Sequence, residues 1–141
     1  MEDNARAQIT ITASIHATTE QVWQFWTLPE HITKWNQASD DWHTPHAEND
    51  LRVGGRFSSR MESKDGKYGF DFGGVYDAVE PYHIIAYTIG DGRTVHITME
   101  PVDGGTHVVE TFEAESQNSI ERQRQGWQAI LDNFKRYVEN L

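Results

Sequence analysis

At 141 residues, with 22 acidic against 12 basic side chains and a net charge of −10, the chain is repelled by nucleic acid and by anionic membrane surfaces; its basic residues are scattered, so no local patch overrides the total. The absence of cysteine excludes disulfides and thiolate metal sites. Only 37% of residues are hydrophobic, but five Trp, five Tyr and six Phe supply the bulk for the core of one domain spanning 1–141.

In chain order, residues 1–7 are polar, with no apolar run behind a positive start, so no signal peptide is expected. No later segment approaches the roughly 20 apolar residues that span a bilayer, and the expected setting is soluble and cytoplasmic. Residues 8–16 alternate, with Ile9, Ile11, Ala13 and Ile15 on one side and Thr10, Thr12, Ser14 and His16 on the other, which predicts a half-buried strand. Thr18 opens a helix with Gln21 at the capping-box position, and Val22, Phe25 and Trp26 form its apolar stripe. Pro29 suits the first turn of a second short helix ending near Trp35. Residues 36–50 are polar and contain Pro45, so they read as a loop or an irregular strand.

A meander of strands follows. Phe57, Ser59 and Met61 alternate with Ser58, Arg60 and Glu62. Lys64-Asp65-Gly66-Lys67 is a hairpin signal, because Asp-Gly accepts positive φ. Tyr68, Phe70 and Phe72 share a face, and Gly73-Gly74 predicts a bulge or bend that breaks the strand. Residues 75–79, 84–89, 95–99 and 106–115 read as further strands, separated by Glu80-Pro81, Gly90-Asp91-Gly92 and Asp103-Gly104-Gly105.

Residues 119–141 close the chain as an amphipathic helix. Ile120, Trp127, Ile130, Leu131, Phe134, Tyr137, Val138 and Leu141 form one stripe, and Asn118 with Glu121 suggests a capping box. Gly126 sits mid-helix, where glycine costs about 1 kcal/mol against alanine; it implies a packing reason, space beside the indole of Trp127. Strand runs segregated from helices argue for an α+β fold rather than βαβ winding.

The ordered motifs resemble a known family. They are Thr19-Glu20-Gln21-Val22-Trp23 with Pro29 and Trp35, Asp50-Leu51-Arg52-Val53-Gly54-Gly55-Arg56-Phe57, Gly74-Val75-Tyr76 with Glu80-Pro81, Gly105-Thr106, and Gly126-Trp127. The set spans 9–141 and resembles the START-like (helix-grip, SRPBCC) superfamily, in its branch of homologues of the activator of heat-shock chaperone ATPase. That resemblance implies a helix-grip fold: a curved antiparallel sheet wrapped around a long C-terminal helix, with two short helices after the first strand. Members carry lipids, bind hydrophobic natural products, cyclise polyketides or assist a chaperone, and the fold does not choose among these.

A ligand pocket would lie between the final helix and the concave face of the sheet. Its candidate wall is Phe57, Met61, Phe70, Phe72, Tyr76, Tyr87, Trp127 and Ile130, although aromatic stripes also simply fill cores. Tyr76 and Tyr87 stand out, because a buried phenol needs a partner and a ligand can be one. Asp71, Arg60 and Glu62 alternate onto the opposite, solvated face. His43 and His46 have a ligand-like spacing, but Pro45 lies between them and no third ligand is evident, so no metal is assigned. His96 and His107 lie on neighbouring strands. With no Cys nucleophile, no Gly-x-Ser-x-Gly elbow and no phosphate loop, no catalytic residue or cofactor is assigned. The leading expectation is a non-enzymatic binder of a small hydrophobic or aromatic molecule. A cyclase or aromatase-like enzyme is second. A co-chaperone role is third and a chaperone partner the least favoured, since the eukaryotic activators carry a large extra N-terminal domain.

Overall fold

In a computed structural model that describes residues 6–141, the opening alternation becomes β1 (Gln8–Ile15), with every second side chain buried. Residues 1–5 of the polar opening segment lie outside the described residues. Next come α1 (Thr19–Thr27) and α2 (Pro29–Trp35). Thr18 caps α1 as predicted: its hydroxyl accepts from the Gln21 amide, and its own amide donates to the Gln21 side chain, both at 3.1 Å. Pro29 starts α2 where a missing N–H costs nothing. The Trp35 indole donates to the Phe25 carbonyl at 2.8 Å and ties the two helices together.

Six further strands, β2 (Trp42–Asn49), β3 (Arg56–Ser63), β4 (Gly69–Glu80), β5 (Ile84–Ile89), β6 (Thr94–Val102) and β7 (Gly105–Glu113), precede α3 (Ile120–Glu139). All seven strands form one curled antiparallel sheet in the order β1-β7-β6-β5-β4-β3-β2. This is the expected α+β helix-grip architecture.

Local expectations are decided or changed in three places. Of the two readings of the polar stretch 36–50, part of it is the irregular strand, β2, at the sheet edge, where Pro45 removes no needed ladder bond and a bulge between His43 and His46 absorbs it. β4 runs unbroken through Gly73 and Gly74, and its irregularity falls later, between Tyr76 and Ala78. The two glycines serve close approach instead. A Cβ on Gly73 would lie 2.4 Å from the Phe57 carbonyl oxygen, and one on Gly74 would lie 2.3 Å from that of Thr88. Third, α3 is capped by Ser119, whose hydroxyl accepts from the Arg122 amide at 3.1 Å. Asn118 lies one residue before the cap, and its backbone and side-chain N–H groups donate to the Glu115 carboxylate at 2.7 and 2.6 Å.

The apolar stripe of α3 is also shorter than its sequence suggests, since Ile120 and Leu141 are exposed. Leu131, Phe134 and Val138 bury the helix against β1 and the two short helices. Phe134 packs on the rings of Trp26 and Trp35 at 4.8 and 4.9 Å. Polar bonds fix the same placement: Gln128 donates to the Thr12 carbonyl at 3.1 Å, Asn133 to the Trp35 carbonyl at 2.8 Å, and the His16 amide to Glu139 at 2.9 Å. α3 therefore lies along β1 while α2 lies along β2. The concave face of the middle strands is left uncovered by either.

Candidate functional site

That uncovered face bounds a cavity of about 550 Å³. Every residue proposed for its wall from the sequence lines it: Phe57, Met61, Phe70, Phe72, Tyr76 and Tyr87 from β3, β4 and β5, and Trp127 and Ile130 from α3. Strand alternation places the sheet residues on one face, and the helical repeat aims Trp127 and Ile130 back at them.

The rings form a continuous lining. Phe57 meets Tyr87 edge-on at 4.6 Å and Tyr76 at 5.2 Å, and approaches Phe72 at 6.1 Å. Phe72 and Trp127 form a T-shaped pair with centroids 6.1 Å apart. Phe70 is half exposed and leans on Trp42 at 5.9 Å, so it belongs to the rim rather than the interior. Met61 is buried, with its sulfur accepting from the Thr44 hydroxyl at 3.3 Å.

The two tyrosines differ. Tyr76 donates its hydroxyl to Asn49 Oδ1 at 2.5 Å, and burial pushes its pKa up to about 12. Tyr87 has no hydrogen-bond partner among the described residues. Burial raises its pKa well above the ordinary phenol value, and the neighbouring Glu110 and Tyr76 add to the effect.

Glu110 is left unassigned by the sequence pattern, and it is the most unusual group on the wall. It is 6% exposed, and burial alone raises its carboxyl to about 8, so at neutral pH it is mostly protonated. The signal that points to it is the alternation of β7: Val108 and Phe112, two residues to either side, are fully buried on the same face. A carboxylate between two such residues sits on the dry side of a strand.

One end of the cavity is polar, where β7 runs into α3. There Gln123 is buried, its oxygen accepting from the Glu115 amide at 2.9 Å and its nitrogen donating to the Asn118 carbonyl at 2.8 Å. Arg93 and Arg122 share this end, and Arg93 is held by both carboxylate oxygens of Asp91 at 3.1 and 2.8 Å. Gly126 also lines the cavity, and a Cβ there would meet nothing within 4 Å. The glycine leaves room, but nothing packs tightly into it.

The remaining candidates lie elsewhere. Arg60 pairs with Glu62 at 2.9 Å and with Asp71 at 3.5 Å, all partly exposed on the convex face. His43 approaches Glu62 at 3.8 Å and His46 approaches Glu48 at 2.9 Å, each on its own carboxylate across the β2 bulge. His96 stands in register with Thr111 and His107 with Glu100, so the two histidines are not cross-strand partners.

Comparison with known proteins places this geometry. The family described as Activator of Hsp90 ATPase homolog 1-like protein matches residues 16–139. The solution structure of an AHSA1-like protein from Aeromonas hydrophila is 47% identical, with a TM-score of 0.90 over 95% of this chain and 93% of that one. A protein from Cytophaga hutchinsonii, also solved in solution, is 50% identical, with a TM-score of 0.82 over 94% and 92% of the two chains. A crystal structure from Nitrosomonas europaea shares the fold at 18% identity, with a TM-score of 0.83 over 99% of this chain and 97% of that one. Among curated proteins, none matches. No helix among the described residues is long and apolar enough to cross a membrane.

Proposed function

The chain belongs to the Activator of Hsp90 ATPase homolog 1-like family, and from that premise we propose that it binds a small hydrophobic or aromatic molecule between α3 and the concave sheet. The observation that carries this reading is the ring-lined cavity of about 550 Å³, within the roughly 300–1,000 Å³ typical of small-molecule sites. Gly126 supports it. A helix selected for stability alone would place alanine where a Cβ meets nothing within 4 Å, gaining about 1 kcal/mol. Keeping glycine preserves space at the expense of helix propensity.

The test is a titration of the purified chain with fatty acids, flavonoids and polyketide-like aromatics, read by tryptophan fluorescence and melting temperature. A ligand at a hundred times its Kd stabilises the native state by about 2.7 kcal/mol, which is a visible shift. Binding changes the emission of Trp127, since it lines the cavity. A panel that moves neither readout overturns the proposal.

Glu110 favours a second reading, a cyclase or aromatase-like enzyme. A buried carboxyl raised to about 8 holds a proton at neutral pH and is poised for general acid–base work, in a cavity that orients a reactive chain. Turnover of a polyketide-like substrate that is abolished by Glu110→Gln supports it; turnover unchanged in that variant removes Glu110 from the chemistry. A chaperone partner is suggested by the family's name, but a role in protein docking alone requires no such cavity, so it ranks third.

A further inference from the structure

Among the described residues Glu110 has no structural partner, and its row in the sheet is apolar. Ile11 of β1 and Ile97 of β6 stand opposite it in register, and Ile85 of β5 lies beyond Ile97. All three are buried. Among the described residues no hydrogen bond or ion pair reaches its carboxyl, and desolvation is the sole influence on it. The arginines on the wall stand at the polar end, Arg93 already paired with Asp91.

A carboxyl in this position lowers stability without repaying it through a native contact. If the site served only hydrogen bonding to a neutral ligand, glutamine would supply a donor and an acceptor with no charge to desolvate. What a carboxylate adds is negative charge. The rings of Trp127, Tyr87, Phe57 and Phe72 line the same cavity, and an aromatic ring attracts a cation that reaches its face. A net charge of −10 draws cations toward the mouth.

Building on the ligand-binding reading above, we propose that the cavity is a receptor for organic cations, amines carried on an aromatic or alkyl body, with the ammonium seated against the Glu110 carboxylate and the body among the rings. Entry of the cation displaces the proton that burial keeps on Glu110. Affinity for an amine therefore rises with pH until Glu110 is ionised without help, near its raised value of about 8. The elements against Glu110 contribute no group that mimics this behaviour. Ile11, Ile97 and, from α3, Trp127 and Leu131 do not titrate. Tyr76 and Tyr87 are moved upward by burial, and Glu115 is moved downward by the Asn118 amide. Glu48, Arg93 and Arg122 complete the ionisable wall.

The experiment is calorimetric titration of the full chain with naphthylmethylamine, naphthylmethanol and naphthylacetic acid, one ring system with three charge states. The amine is expected to bind about tenfold more tightly than the alcohol at pH 8, with the acid weakest. Between pH 7 and pH 6 the amine loses about tenfold in affinity as Glu110 regains its proton, while the alcohol is unchanged. In Glu110→Gln the preference and the pH slope both vanish and the alcohol still binds. Equal binding of the three probes, a preference for the acid, or an amine preference that survives Glu110→Gln overturns the proposal and leaves the hydrophobic-ligand reading standing. Failure of every probe to bind removes both. The wild-type pH profile decides the matter by itself if the variant does not fold.

Discussion

The indole of Trp127 lies flat on the ring of Phe112, with centroids 3.9 Å apart and planes 10° from parallel. Phe112 is buried in the sheet on β7, and Trp127 meets Phe72 in a T-shaped pair at 6.1 Å on the cavity wall. One side chain thus pins α3 to the core with a face and also lines the space beneath. Helix attachment and the cavity wall meet at this residue.

Two glycines are expected to respond to alanine in opposite directions. Gly126→Ala adds a methyl group to open space and removes a helical glycine, so it should stabilise by about 1 kcal/mol. Gly74→Ala drives a Cβ to 2.3 Å from the Thr88 carbonyl oxygen, and relieving that overlap should cost about 2–3 kcal/mol. Urea denaturation of the two variants checks the signs. Equal effects would refute the assigned roles.

A larger side chain at position 126 separates folding from binding. Gly126→Leu keeps a good helix former and fills the cavity from the helix side. Its melting temperature should stay at or above that of the parent while binding of any cavity ligand drops at least about tenfold. Retained affinity would mean that ligands bind somewhere other than beneath α3.

Glu110 makes stability depend on pH with a sign opposite to that of a salt-bridged carboxylate. Its native value is about 8 against an ordinary 4.5, so between those limits the folded state holds a proton that the unfolded state has lost. Stability is then greatest below pH 4.5 as far as this group is concerned, and falls as pH rises to about 8. The full swing is on the order of 5 kcal/mol. Glu110→Gln should flatten this slope, and unfolding curves taken across the same pH range measure it.

The two pocket tyrosines should separate on removal of their hydroxyls. Tyr76→Phe breaks the 2.5 Å bond to Asn49, and should cost about 1 kcal/mol. Tyr87→Phe breaks no protein hydrogen bond among the described residues, so its stability should change by less than about 0.5 kcal/mol. Any loss of ligand affinity in Tyr87→Phe that exceeds its stability change marks that hydroxyl as a contact.

Much of the site was legible because its residues obey simple periods. Phe57 and Met61 lie four apart on one strand and Phe70 and Phe72 two apart on the next, both even steps, and Trp127 and Ile130 lie three apart on one helix. Gly73-Gly74 misled, because a glycine pair reads the same whether it ends a strand or lets a neighbouring carbonyl close on it. Asn118 misled as a cap because Ser119 beside it supplies the accepting oxygen, while Glu115 takes the Asn118 backbone N–H that a capping box would give to Glu121. Glu110 was within reach of the β7 alternation, yet a charged residue in a strand is ordinarily assigned to the wet face.

Hydrophobic period, caps and turn residues by themselves determined the order of strands and helices and the inward face of each, since these are set by neighbours a few positions away. Whether the space between α3 and the sheet is packed or open was decided only in three dimensions. It depends on α2 lying along β2 and above all on α3 lying along β1, where the contacts join residues more than a hundred positions apart, such as Gln128 with Thr12. The raised carboxyl of Glu110 follows from the same placement, because its solvent is excluded by elements distant in the chain.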